Sequence, residues 1–237
     1  MSQQRGFSLV ELMIALVLGL IVTGAILQTF ISNNKSMELQ RVAVSLQEEG
    51  RAAVDYITRY VRMAGFQETN LEQGALSDGL SGTSSSLSIK FKAAVSAATS
   101  STDKPKPIAF LRDCLGSAVS NAAESINVFS QSGSELICTA TTGGSSDSAA
   151  LVGNVKEIRI QYGVDSDGDG VANQYLTAPG GAPVVALKIC LRLQSDNDLV
   201  STPTTYKQCD GSAASTSSRR LERRIDTTIA LRNRIGS

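Results

Sequence analysis

Residues 7–31 hold a single charged side chain, Glu11, inside a run that is otherwise apolar or weakly polar. Residues 12–30 are uncharged, and as a helix rising about 1.5 Å per residue they are long enough for a hydrocarbon core of roughly 30 Å. Arg5 precedes the run, which places the amino terminus on the cytoplasmic side and the rest outside. The carboxylate is what needs explaining. An acid in lipid costs on the order of 2–3 kcal/mol or more unless it finds a partner. A secretory signal has no use for it, and Thr23-Gly24-Ala25 is a poor cleavage site after the run. A simple anchor accounts for the span and leaves the acid unexplained.

The remaining 206 or so residues, about one domain's worth, carry little net field. The whole chain has 22 Lys and Arg against 22 Asp and Glu, with no histidine and no tryptophan. The balance gives no pointer to nucleic acid or acidic partners. Lacking histidine, the chain cannot build a Ser-His-Asp triad, a histidine base or a histidine-ligated metal site. Cys114, Cys138, Cys190 and Cys209 form no CxxC pair. An even number of cysteines beyond a membrane segment implies two disulfides in an oxidising compartment. Three pairings are open, and the simplest is sequential, Cys114–Cys138 and Cys190–Cys209.

Past Lys35 the polarity rises but the helical period continues. Leu39, Val42, Leu46, Ala53, Ile57, Tyr60 or Val61, and Ala64 recur at steps of three and four, with a gap of seven filled at Gly50. One helix is therefore expected from about residue 7 to residue 64, stopped by Gly65. Small residues at Ala43, Gly50 and Ala53 fit a coiled-coil seam poorly. Segment 66–86 reads as loop, and strand signals follow. LSIKFKAAV (87–95), PIAFLRD (107–113), INVFS (126–130), ELICTAT (135–141), NVKEIRIQYGV (154–164), VVALKICLRL (184–193) and LERRIDTTIALRNR (221–234) are the candidates. Alternation puts Ile158, Ile160, Tyr162 and Val164 on one face, and Val185, Leu187, Ile189, Leu191 and Leu193 on another. Such alternation describes an antiparallel sheet with one buried face, which the amphipathic half of the helix would cover. The Ser/Gly-rich stretches SGTSSS, TTGGSSDS and GSAASTSS read as surface loops.

DSDGDGVANQYL (165–176) sets Asp165, Asp167 and Asp169 ahead of Gly170, the first half of an EF-hand-like calcium loop. The Val171 carbonyl and Asn173 would add ligands, while Leu176 stands where a bidentate glutamate is expected. Weak Ca²⁺ binding is the expectation; a metal-free Asp/Gly turn is the rival. Arg219, Arg220, Arg223, Arg224, Arg232 and Arg234 raise DNA contact, but interspersed Glu222 and Asp226 favour a wet sheet face with local ion pairs.

The residues RGFSLVELMIAL resemble the class III signal of type IV prepilins, in which a basic leader ends in glycine, phenylalanine follows, and glutamate is fifth after the glycine. The resemblance implies cleavage between Gly6 and Phe7 by prepilin peptidase and N-methylation at Phe7. It also gives Glu11 a partner, the freed amine of a neighbouring subunit. In apolar surroundings that pair gains more than in water. YVRMAGF (60–66), IQYGVDSDGDGVANQY (160–175) and TTIALRNR (227–234) resemble the PilW group of minor pilins, relatives of type II secretion J pseudopilins. Major pilins commonly break the membrane helix with proline; this chain has Gln28, Gly19 and Gly24 there, which argues against a major subunit.

The resemblance implies an α+β pilin architecture, a long N-terminal helix packed on an antiparallel β-sheet. Its parts are a leader (1–6), a transmembrane or pilus-core half-helix (7–31), an amphipathic half (32–65) and an extracytoplasmic β-rich head (66–237). It implies a non-enzymatic minor pilin that helps initiate or prime a type IV pilus at or near its tip. Expected partners are other minor pilins, the major pilin, prepilin peptidase, an inner-membrane assembly platform and a tip adhesin. The expected location is the bacterial inner membrane, single-pass, and then the pilus. Two rivals stay open: a type II secretion minor pseudopilin, and a membrane-tethered extracytoplasmic enzyme or sensor.

Overall fold

The computed structural model describes residues 8–66, 79–92, 111–119, 124–181, 183–202, 205–215 and 218–231. The chain divides into two units, Met1–Val44 and Ser45–Ser237, and one helix, α1 (Leu9–Val61), runs through both. From Leu12 to Ile31, within the first unit, α1 is almost wholly apolar on every side. Its polar side chains are kept quiet by the helix itself: Thr23 Oγ1 donates to the Gly19 carbonyl at 2.7 Å and Thr29 Oγ1 to that of Ala25 at 2.9 Å. These bonds satisfy hydroxyls that lipid would not, and they leave the threonine methyls outward.

The second unit holds the rest of α1 and the strands. A five-stranded antiparallel sheet runs in order β1 (Leu80–Gly82), β2 (Ser86–Lys92), β3 (Glu124–Ser132), β4 (Glu135–Thr142), β5 (Ser145–Val152). A four-stranded antiparallel sheet has the order β11 (Arg220–Ala230), β8 (Val184–Asp198), β6 (Val155–Val164), β7 (Gln174–Leu176). A separate hairpin joins β9 (Thr205–Lys207) to β10 (Ala213–Ser215). All pairs are antiparallel, as the alternation requires, but the strands divide between two main sheets. The sheets meet at Tyr162, whose hydroxyl donates to the Ser86 carbonyl at 3.0 Å and the Thr83 carbonyl at 3.2 Å. Nearby, the Ile160 N–H donates to the Ser84 carbonyl at 2.8 Å.

The core lies where the period of α1 meets the period of the strands. Leu46, Gly50, Ala53, Val54, Ile57, Tyr60 and Val61 are buried on the helix. Ile158, Ile160, Tyr162, Leu187, Ile189, Leu191 and Leu193 are buried on the second sheet. Gly50 marks the closest approach. A Cβ there would land on Ile225 Cδ1 and stand 3.2 Å from Leu193 Cδ1. Near its C-terminus α1 is tied to the turn 111–119: Tyr56 Oη donates to the Cys114 carbonyl at 2.7 Å, and Tyr60 Oη to that of Asp113 at 2.8 Å. Tyr60 also packs its ring 5.8 Å from that of Phe129 on β3.

Several expectations from the sequence are corrected. The helix ends at Val61, and 62–65 tighten into a turn, with Met63 and Ala64 N–H groups reaching carbonyls three residues back before Gly65 turns at φ +71°. The low-complexity stretches are partly strand. TTGGSSDS is a hairpin: Gly143 and Gly144 take φ of 61° and 88°, the two left-handed positions of a two-residue turn, and β5 leaves it. SGTSSS contributes to β1 and β2, and GSAASTSS to β10. Residues 93–95, 107–110 and 232–234 of the expected strands lie outside the described residues.

Candidate functional site

Of the sequence features that carry functional weight, Glu11, the acidic loop and the four cysteines lie among the described residues. Glu11 sits in the first turn of α1, where a carboxylate suits the helix dipole. It makes no hydrogen bond or ion pair among the described residues. Leu12, Ala15, Leu16, Gly19, Leu20 and Thr23 form a shallow apolar groove beside it. Leu9 is 74% exposed and Leu20 73% exposed, in a stretch where every residue from 8 to 38 faces outward. Such a surface is unstable in water and needs lipid or protein around it. Gly6 and Phe7, the expected cleavage pair, lie outside the described residues.

The acidic loop between β6 and β7 brings Asp165, Asp167 and Asp169 together, with one carboxylate oxygen from each within 4.8 Å of the others. Oxygens about 2.4 Å from one cation can stand no farther apart than that, so the spacing fits a single ion. The loop is built from the Asp and Gly residues in turn. Gly168 and Gly170 both adopt φ +81°, open to glycine at no steric cost. Asp165 Oδ1 accepts N–H bonds from Gly168 at 2.7 Å and Asp167 at 3.2 Å, and Oδ2 accepts from Gly170 at 2.9 Å. The Gly170 and Gly168 amides hold the Asp165 carboxyl below the usual carboxylate range. Asp169 Oδ1 accepts from the Val171 N–H at 2.8 Å.

Asn173 is oriented otherwise. Its Oδ1 accepts from the Ser166 N–H at 2.7 Å, and its Nδ2 donates to Asp167 Oδ2 at 3.0 Å. The expected ligand therefore braces the loop, and Leu176 leaves the glutamate position apolar. Three of the five expected ligands converge through their carboxylates. Asp196 and Asp198 lie past the far end of the β6–β8 pair, whose register runs from Val155↔Leu193 to Val164↔Val184.

The cysteines pair in sequential order. Cys114–Cys138 ties the turn 111–119 to β4, and Cys190–Cys209 ties β8 to the β9–β10 hairpin. The second bond holds that hairpin over the outer face of the second sheet. Beneath it lies a cluster that sequence reasoning missed. Arg192 reaches Glu222 at 3.1 Å and Glu157 at 3.2 Å, and the Cys209 N–H donates to Glu157 at 3.3 Å. Arg192 and Glu222 are both buried. The clue lay in strand register, since Glu157 pairs with Arg192 and Arg192 with Arg224 across three strands.

The model of the prokaryotic N-terminal methylation motif matches residues 1–27. The model of type IV pilus-assembly protein W, PilW, matches residues 119–233, a stretch holding the acidic loop and the second sheet. Among solved structures, a type IV-like pilin from Thermus thermophilus shares 13% identity over 79% of this chain and 96% of its own, with a TM-score of 0.47. No curated protein sequence matches the chain. A prepilin-type methylation motif thus opens the apolar helix, and a PilW domain holds the greater part of the described strands of this type IV pilin-like protein.

Proposed function

We propose that the chain is a structural minor pilin that is cut between Gly6 and Phe7, methylated at Phe7, and helps prime type IV pilus assembly at or near the tip. The observation that carries this is Glu11, unpartnered in the first turn of a helix whose surroundings are otherwise apolar. In the membrane the acid is a penalty. Docked beside a neighbour's freed amine, it becomes a register mark, because the pair is satisfied only in one axial position. Before assembly the protein sits in the inner membrane as a single span with its head outside. Its partners are the peptidase, the assembly platform, the other minor pilins, the major pilin and a tip adhesin. The chain contributes no chemistry of its own; a separate ATPase drives extrusion, and no GxxxxGK[ST] phosphate loop occurs in the sequence.

Glu11→Ala tests the reading. The variant should be cut and held in the membrane as the wild type is, yet enter pili poorly. Normal incorporation and piliation would remove the role given to the acid. Mass spectrometry of the mature amino terminus tests processing: N-methyl-Phe at residue 7 is expected, and an intact Met1 would point to a plain anchor.

The same reading gives the Asp165 loop a weak calcium site, held by Asp165, Asp167 and Asp169, with the Val171 carbonyl and Asn173 as further donors once the amide turns. The ion would neutralise three crowded carboxylates. Calorimetry should show Ca²⁺ binding that Asp167→Ala abolishes; equal heats from both proteins would remove the site.

A further inference from the structure

The outer face of the second sheet has a part that the β9–β10 hairpin leaves open. Gln161, Lys188 and Thr228 stand in one row across β6, β8 and β11, since Gln161 pairs with Lys188 and Lys188 with Thr228. Arg159, Cys190 and Asp226 make the next row. Together with Arg224 these side chains line a polar groove of about 410 Å³, and Cys209 closes one wall through its disulfide to Cys190.

The charges in this groove are unequally engaged. Asp226 is taken by Arg224, at 2.7 Å to Nε and 2.9 Å to Nη2, and Arg224 Nη1 donates to the Gln208 carbonyl at 2.7 Å. Asp210, on the hairpin beside Arg159, is held by Ser212, whose N–H and hydroxyl reach it at 2.8 and 2.6 Å. Arg159 makes no hydrogen bond or ion pair among the described residues. Lys188 has a ring for company instead of an acid: its Nζ lies 3.7 Å from the centroid of Tyr175. Arg159 and Lys188 are diagonal neighbours on one face, about 7–8 Å apart along that diagonal, so both long side chains can reach one point between them once Lys188 swings off the Tyr175 ring beside Gly163. Gln161 and Thr228 add neutral donors beside that point.

We propose that this groove binds a tetrahedral oxyanion, a phosphate or sulfate group, between Arg159 and Lys188 with Gln161 and Thr228 as neutral donors. Donors coming from three strands surround the anion from separate directions. A planar carboxylate is better matched by a fork of parallel donors from one guanidinium. Neither cation has a hydrogen-bonded acid among the described residues: Lys188 sits on the Tyr175 ring and Arg159 acts on Asp210 only through space, so an arriving anion breaks no short ion pair.

The test uses the full-length oxidised protein in nonionic detergent at constant ionic strength, with inorganic phosphate as the probe and the thermal midpoint as the readout. Phosphate should raise the midpoint saturably. Arg159→Gln and Lys188→Gln should each weaken the response at least tenfold in concentration, with circular dichroism unchanged. Arg223→Gln removes an exposed charge outside the groove and should leave the response within twofold of wild type. Sulfate and glycerol phosphate run alongside; a tighter response to either supports the site and identifies the group's source as a sulfate or a phosphate ester. Absence of a phosphate response overturns the proposal. So does an equal loss in Arg223→Gln, or acetate acting as strongly as phosphate.

Discussion

Gly50→Ala separates two opposed effects that meet at one atom. In an exposed helix the change stabilises by about 1 kcal/mol, because glycine has more backbone freedom to lose on folding. Here the added Cβ would fall on Ile225 Cδ1, within 3.0 Å of Ile225 Cγ1 and 3.2 Å of Leu193 Cδ1. Ile225 must change rotamer or the helix must lift, and overpacking of this kind costs about 1–3 kcal/mol. The net expectation is a loss of about 1 kcal/mol. Ile225→Val removes the colliding methyl and, at a half-buried site, costs about 0.5 kcal/mol alone. The double variant keeps the helix gain and loses the worst overlap, but the tight contacts with the remaining Cγ1 and with Leu193 Cδ1 offset part of that gain, so it should return close to wild type, a coupling of about 1.5 kcal/mol between contacting residues. Urea unfolding of the disulfide-intact chain in detergent, followed by tyrosine fluorescence, measures all four corners of this cycle. A Gly50→Ala variant that gains about 1 kcal/mol, or single effects that simply add, would refute the account of how α1 meets the second sheet.

Other expectations follow from single contacts. Arg192→Ala leaves Glu222 buried and unpaired beside Glu157, so the head should lose about 3–5 kcal/mol, while Arg192→Met with Glu222→Leu should restore much of it in the same unfolding assay. Cys190→Ser with Cys209→Ser opens a loop of sequence separation 19 and should cost about 3 kcal/mol; a change below about 0.5 kcal/mol would mean that the hairpin is held by its polar contacts alone. Asp165 has a lowered pKa because the Gly170 and Gly168 amides favour its charged form, so its contribution is full above about pH 4 and is lost as the pH falls further. Carbon-detected NMR should find its carboxyl midpoint below that of a free aspartate. Tyr60 and Tyr162 have raised pKa values, chiefly from burial, so both should stay un-ionised when pH passes about 10, and their stabilising contribution should fall away only as the pH rises beyond that. Ultraviolet difference spectra of Tyr60→Phe and Tyr162→Phe would report it.

How much of this was legible in the sequence varies with how strongly burial wrote on each element. β6 and β8 were plain because one face is buried along their length, so Ile158, Ile160, Leu187 and Leu191 fall in phase. The gap in the apolar period of α1 at Gly50 was visible, but its meaning was not. Only the register of β8 and β11 brings Leu193 and Ile225 to the helix at that point. β5 was hidden for the opposite reason. From Ser145 to Ala150 both of its faces are exposed, so no alternation exists to be read, and composition alone suggested a loop. The Gly143–Gly144 turn was the better signal, since paired left-handed residues select a tight hairpin whatever the strands contain.

The same logic explains the charged residues of the second sheet. Sequence alternation places Glu157, Arg192, Glu222 and Arg224 on the face away from the helix and therefore in water. The water is removed by a hairpin some fifty residues from Glu157 in sequence, fastened by Cys190–Cys209. A short segment with little apolar content would not be expected to cover a sheet by hydrophobic burial, and what holds this one is covalent and polar: the disulfide, the Cys209 amide on Glu157 and Arg224 on the Gln208 carbonyl. One face therefore contains two regimes. Under the hairpin, acids and bases are balanced and sequestered. Beside it, Arg159 and Lys188 keep their charge facing outward. If the disulfide fixes that boundary, cutting it should expose Arg192 and Glu222 to solvent while leaving the inner, helix-facing side of the sheet intact. Amide exchange on the Cys190→Ser/Cys209→Ser variant would show faster exchange confined to the hairpin and the outer rows of β8 and β11, and faster exchange spreading through the residues packed on α1 would contradict the division.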